Sequence, residues 1–221
     1  MKLQGKKIDA VIFDMDGVLI DSEPLWKIAE IAAFNAVGVS LKPADLEKTV
    51  GLRIDEVVDY WYKQKPWGNI SKKQVVDHIL EEMVRLINEK GASLIGVKEV
   101  LNFFRTKNIK IGLATSSYQI LLDAVLKKLD IVNYFDFTLS AENLPYGKPH
   151  PEVYLLVAKN LGVDPENCLV IEDSLNGVIS GKAAKMTVIA IPEKTHELNK
   201  KLVLADLRVV DLFQVIALFS E

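Results

Sequence analysis

The chain has 221 residues, 49% of them apolar and 26% charged, with a formal net charge of -3. That balance supports a packed core with room for a smaller second unit, and it lacks the basic excess that nucleic-acid binding would need. The single cysteine, Cys168, excludes an intrachain disulfide and a cysteine-built zinc site.

Met1–Lys7 carries three lysines, but the apolar run behind it is broken by Asp9 and stops at Asp14, too short for a signal-peptide core. No stretch approaches the ~18 uninterrupted apolar residues of a membrane span. A soluble, cytoplasmic protein that binds no nucleic acid and no membrane is expected, with a monomer as the default.

In chain order, Ile8–Phe13 reads as a buried strand running straight into Asp14-Met15-Asp16-Gly17. From Asp21 to about Gly91 only helical patterning follows. Ser22 suits an N-cap with Pro24 in the first turn, ahead of apolar residues at Leu25, Ile28, Ala29, Ala32, Ala33 and Ala36. Ser71-Lys72-Lys73-Gln74 is a capping box opening a long amphipathic helix.

Strands and helices then alternate. Strands are expected at Ile109–Ala114, Phe137–Ser140, Cys168–Ile171 and Thr187–Ile191, and helices at Val97–Arg105, Gln119–Leu129, Glu152–Leu161 and Leu175–Ala184. The third of these helices follows "KPHP" and stops at Gly162, the usual proline-before, glycine-after pattern. Strands apolar on both faces and linked by helices define an α/β fold with a doubly wound, Rossmann-like parallel sheet. The core is expected over 1–20 and 92–221, with an inserted α-helical cap over 21–91, above the sheet edge where such folds bind ligands.

Two aspartates at the tip of a buried strand need a reason. Asp14-Met15-Asp16-Gly17 resembles the start of a calcium loop, but the glycine falls fourth and Leu25 stands where the twelfth-position acid belongs. A second acid pair, Glu172-Asp173, ends another apolar strand. Parallel strand ends share one edge, so Asp14, Asp16 and Asp173 can converge, and clustered carboxylates call for a hard divalent cation, most simply Mg2+. Thr115, Ser116 and Ser117 end a third strand at a helix start, which suits a phosphate. Lys148 sits in the turn "YGKPHP". Taken singly, these are a solvated turn, a helix cap and a surface lysine. Their conjunction at strand ends carries the functional reading.

"DMDGV", "ATSS", "GKPHPEVY" and "VIEDSLNG" together resemble the four motifs of the haloacid dehalogenase superfamily, over essentially the whole chain. The insert resembles that of its β-phosphoglucomutase-like group, and "IDSEPLW", "GLRIDEVVDYWY" and "ENLPYGKPHPEVY" look like that group's phosphatases of hexitol and sugar phosphates. The resemblance implies a Mg2+-dependent phosphatase acting on small phosphorylated sugars such as 2-deoxyglucose 6-phosphate or sorbitol 6-phosphate. Asp14 would be the nucleophile and Asp16 the acid and base. Mg2+ would sit on Asp14, the Asp16 backbone carbonyl and Asp173, with Glu172 supporting it through water. Thr115, Ser116 and Lys148 would hold the phosphoryl oxygens, and Asn176 would stand behind them.

In the cap, Arg53 is expected to face the substrate, and Trp26 has two open roles: stacking on a sugar ring or packing the cap. Trp61 and Trp67 are expected to pack. A mutase of the same group would carry a histidine where this chain has Trp26. A phospho-receiver would lack the insert, and a dehalogenase would need neither the second acid nor a metal. The three histidines, His78, His150 and His196, are spread over separate elements and are not expected to be ligands.

Overall fold

The computed structural model describes residues 1–49, 51–192 and 200–219. A short hairpin of β1 (Lys2–Leu3) and β2 (Lys6–Lys7) precedes β3 (Ala10–Phe13). Four helices follow: α1 (Glu23–Ala36), α2 (Pro43–Leu46), α3 (Ile54–Gln64) and α4 (Lys72–Lys90). Then come α5 (Val97–Thr106), β4 (Lys110–Thr115), α6 (Gln119–Leu129), β5 (Phe137–Ser140) and α7 (Glu152–Leu161). The chain continues through β6 (Cys168–Glu172), α8 (Leu175–Ala183), β7 (Thr187–Ala190), β8 (Leu207–Arg208) and α9 (Leu212–Ala217).

The main sheet is parallel throughout, in the order β5-β4-β3-β6-β7-β8. From β3 the chain moves outward through β4 and β5, then returns to lay β6 on the other side of β3. The winding therefore reverses at β3, and ligands collect at the carboxyl edge of such a switch point.

β3 is a strand because both of its faces are buried. Val11 and Phe13 join Phe104, Ile111 and Leu113 on one side, and Ala10 and Ile12 join Val157, Ala158 and Val170 on the other. Gly112 lets α7 lie directly on β4, since a Cβ there would stand 2.5 Å from the Val157 Cγ1. The helical insert has its own apolar centre, in which Phe34 meets Trp61 and Trp67 edge-on. Those two tryptophans pack as expected.

The two segments joining insert to sheet lie side by side. The Asp21 N–H donates to the Ala92 carbonyl (3.1 Å), and the Leu94 N–H donates to the Leu19 carbonyl (3.1 Å).

Element ends largely follow the local chemistry. Ser71 and Gln74 form the reciprocal cap of α4, and Gly162 closes α7 in the left-handed region at φ 65°. The first strand starts at Ala10 rather than Ile8, because the Ile8 N–H donates to the Met1 carbonyl of the preceding hairpin. Ser22 occupies the N-cap position of α1, but its hydroxyl does not cap the helix. Among the described residues, no helix is long and apolar enough to cross a membrane. His78 and His150 are exposed, and His196 lies outside the described residues.

Candidate active site

The carboxyl ends of β3, β4 and β6 meet beneath α1, and a cavity of about 130 Å³ opens there. Asp14 continues β3, its N–H bonded to the Ile171 carbonyl of β6. Its side chain turns inward to Lys148, whose Nζ stands 2.5 Å from Asp14 Oδ1. The same ammonium donates to the Ala114 carbonyl (2.9 Å) and to Glu172 Oε1 (2.7 Å), so all three of its hydrogens are placed. It also lies 4.7 Å from the ring centroid of Tyr154.

Glu172 is fully buried and fully engaged. Oε1 accepts from Lys148 and from the Tyr154 hydroxyl (2.7 Å), and Oε2 accepts from the N–H groups of Asp173 and Ser174 and from the Ser174 hydroxyl. Burial would raise its carboxyl, but Lys148, Tyr154 and the Ser174 N–H outweigh it and hold Glu172 below the usual carboxylate range. Burial likewise opposes charge on Lys148, yet Asp14 and Glu172 keep the ammonium above its ordinary range.

Asp14 is different. Burial, with Glu172 and Asp16 close by, overcomes the pull of Lys148 and pushes Asp14 up to about 8. One ammonium does not satisfy the buried acids around it. Asp14, Glu172 and Asp173 each offer an oxygen, and these oxygens all lie within 4.8 Å of one another. An all-oxygen, carboxylate-rich donor set short of positive charge fits a hard divalent cation. Two glycines permit the cluster: a Cβ on Gly17 would meet Asp173 Oδ2 at 2.1 Å, and one on Gly177 would meet Glu172 Oε1 at 1.7 Å. Gly17 also sits at φ 71°, a conformation open to glycine.

Asp16 faces another set of partners. Its Oδ1 accepts from the Ser22 hydroxyl (2.5 Å) and the Trp26 indole N–H (3.3 Å), and its Oδ2 accepts from the Ser117 hydroxyl (2.7 Å). The two aspartates read from the sequence as one pair thus occupy separate hydrogen-bond environments, and the Asp16 carboxylate lies outside the three-acid cluster. At the end of β4, Thr115 Oγ1 accepts from the Ser117 N–H (3.0 Å), while the Ser116 hydroxyl is buried without a partner beside the cavity.

Asp14, Asp16, Thr115, Ser116, Lys148, Asp173, Trp26 and Arg53 all line this one cavity, and Glu172 lies behind it. The cap residues depart from expectation in detail. Arg53 lines the cavity, but its guanidinium donates to the Ala141 (3.3 Å) and Leu144 (2.9 Å) carbonyls and pairs with Asp55. It ties the insert to the sheet domain and is not aimed at the acids. The Asn176 amide donates to the Gly51 carbonyl of the insert (3.4 Å). Trp26 takes a role not foreseen for it, as a donor to Asp16.

Ser22, Tyr154 and Glu30 were not singled out as site residues; Ser117, read with Thr115 and Ser116 as a strand end suited to a phosphate, instead donates to Asp16.

Acids, hydroxyls and a buried ammonium gathered at the switch point of a doubly wound sheet define an enzyme of the hydrolase class. The chain belongs to the haloacid dehalogenase-like hydrolase family, whose family model matches residues 8–185. It is 43% identical over 213 residues to Hexitol phosphatase B of Escherichia coli, a match spanning 96% of each chain. It is 37% identical to the Phosphorylated carbohydrates phosphatase of Thermotoga maritima, across 80% of this chain and 82% of that one. The crystal structure of β-phosphoglucomutase from Clostridium difficile superposes with a TM-score of 0.82 at 29% identity, covering 94% of this chain and 93% of that one.

Proposed function

We propose that this protein is a Mg2+-dependent phosphatase of small sugar and hexitol phosphates, working in the cytoplasm as a monomer through an aspartyl-phosphate on Asp14. Residues 21–91 serve as a cap over a core of 1–20 and 92–221. The observation that carries the reading is the separation of the two aspartates. Asp14 is bound to the buried lysine, and Asp16 is held by Ser22, Trp26 and Ser117 at the mouth of the same cavity.

Thr115, Ser116 and Lys148 receive the phosphoryl oxygens, Ser116 with a hydroxyl that has no other partner. An Asp14 oxygen attacks phosphorus and the bond from phosphorus to the sugar oxygen breaks, while Asp16 gives its proton to that departing oxygen. Water then attacks the phosphorus, Asp16 takes the water's proton, and the bond to Asp14 breaks to release phosphate. Asp14, Asp173 and the Asp16 backbone carbonyl would hold Mg2+, with Glu172 behind. When bound, the ion offsets negative charge on the nucleophile and the phosphate.

Phosphate release across a panel of hexose and hexitol phosphates, with and without Mg2+, tests this. β-Glucose 1-phosphate with a bisphosphate activator is assayed alongside. Metal-dependent release, greatest with 6-phosphates, is expected. Conversion of the 1-phosphate to the 6-phosphate without net release would overturn the reading in favour of a mutase, the activity named for the Clostridium relative.

A further inference from the structure

Two acids in the cavity, Glu23 and Glu30, have no part in the steps above. Helix α1 carries Glu23, Trp26, Lys27 and Glu30 at spacings of three, four and seven, so they form one stripe, and all four line the cavity. Lys27 is paired with Glu23 at 3.1 Å, and Trp26 donates to Asp16. Glu30 is only 9% exposed, and its Oε2 is buried with no hydrogen-bond partner. Leu46, Ile54 and Val57 of the insert line the same cavity. A carboxyl placed this way costs stability wherever it stands, because burial without a partner is unfavourable. Its position facing the substrate cavity is what asks for a ligand.

We infer that Glu30 is a specificity residue, its carboxyl hydrogen-bonding a hydroxyl on the leaving group of the substrate, on the far side from the phosphate. This deepens the sugar-phosphatase reading and rests on it. Glu30 stands one helical turn beyond Trp26, ~6 Å farther along the axis from the residue that touches Asp16. If Asp16 serves the ester oxygen, Glu30 meets a group a few carbons away. The chemistry favours a hydroxyl over an anion. Burial, with the charge of Glu23 behind it, pushes Glu30 up to about 8. At neutral pH the side chain is then largely a carboxylic acid, offering one donor and further acceptors, which matches a hydroxyl group that does both. A phosphate would meet a second buried acid there, and Lys27 on the same stripe is already paired with Glu23.

The test compares kcat/KM on sorbitol 6-phosphate and on p-nitrophenyl phosphate, an ester with no hydroxyl, for wild type, Glu30→Gln and Glu30→Leu. Wild type is expected to favour the polyol ester. In Glu30→Leu the ratio of the two kcat/KM values is expected to fall roughly ten- to a hundredfold, the loss of a hydrogen bond made to an otherwise unpartnered group. The isosteric Glu30→Gln keeps a donor and an acceptor and is expected to lose less. It also carries the test should the leucine variant fold poorly, with a several-fold fall in the ratio expected.

Equal losses on both esters would assign Glu30 to cap architecture and overturn the inference, as would an unchanged ratio in both variants. A wild type that turns over p-nitrophenyl phosphate but no polyhydroxylated phosphate would instead overturn the sugar-phosphatase reading, and the inference would fall with it.

Discussion

Lys148 holds two carboxylates and a backbone carbonyl in a pocket that leaves it 5% exposed. Removing one partner of such a group strands the others. Lys148→Met is therefore expected to cost ~3–5 kcal/mol in urea unfolding as well as turnover. Asp14→Asn separates the two roles of its side chain. Turnover should fall on the order of a thousandfold or more, because an amide cannot form the acyl phosphate. Calorimetric stability without metal should hold, because asparagine keeps an acceptor for Lys148, which also retains Glu172, and removes an acid that burial disfavours. Retained turnover would sink the nucleophile assignment. Much of this chemistry was legible in the sequence, since Asp14, Asp16, Thr115, Lys148 and Asp173 each follow a strand or lie in a proline-bounded turn. Tyr154 was not, because it sits in an apolar helical stripe and only the packing of α7 brings its hydroxyl to Glu172. Ser22 was misread because an N-cap serine and a serine that donates to Asp16 look alike in one dimension.

Helix α1 combines two incompatible demands. Its inner face must pack Leu25, Ala29, Ala33 and Phe34, while the stripe carrying Glu30 faces the cavity. The sign of the pH effect follows from the raised carboxyl. Between the ordinary carboxylate range and about 8 the folded state holds a proton at Glu30 that the unfolded chain has lost. Wild type thus loses stability as pH rises through that window, and the penalty is complete above it. Asp14, raised to the same value, adds to the slope in wild type and variant alike, so the difference between the two proteins isolates Glu30. Glu30→Gln should raise the melting temperature at pH 8 and flatten the slope relative to wild type; parallel curves for the two proteins would rule this out. At this scale the sequence was a good guide to α4, α6 and α7, whose caps and periodicity are strong. It was silent on β1, β2 and β8, because two-residue strands show no alternation and are set by their pairing partners.

Across the whole molecule, the insert and the sheet domain are joined by paired linkers and by polar bridges at the cavity rim. Arg53 reaches the Ala141 and Leu144 carbonyls, and Asn176 reaches the Gly51 carbonyl. Arg53→Met should loosen that rim, raising KM and lowering kcat together, with faster hydrogen exchange around 141–147; unchanged exchange would refute the bridging role. Metal linkage is also a whole-molecule property. Mg2+ at a hundred times its Kd should stabilise the fold by ~2.7 kcal/mol, and Asp173→Asn should abolish that gain. The doubly wound architecture was readable because alternating apolar strands and helices leave few alternatives, whereas the placement of the insert's side chains depended on tertiary contacts that no periodicity encodes.

The pair formed by Asp14 and Lys148 spans 134 positions of chain. During synthesis Asp14 is therefore among the first groups made, and its counter-charge among the late ones. A nascent chain that has not yet delivered β6 has neither the lysine's second anchor at Glu172 nor the strand that flanks β3 on its other side from β4. Catalytic competence is thus a late event, gained only when the central pairing of the sheet closes.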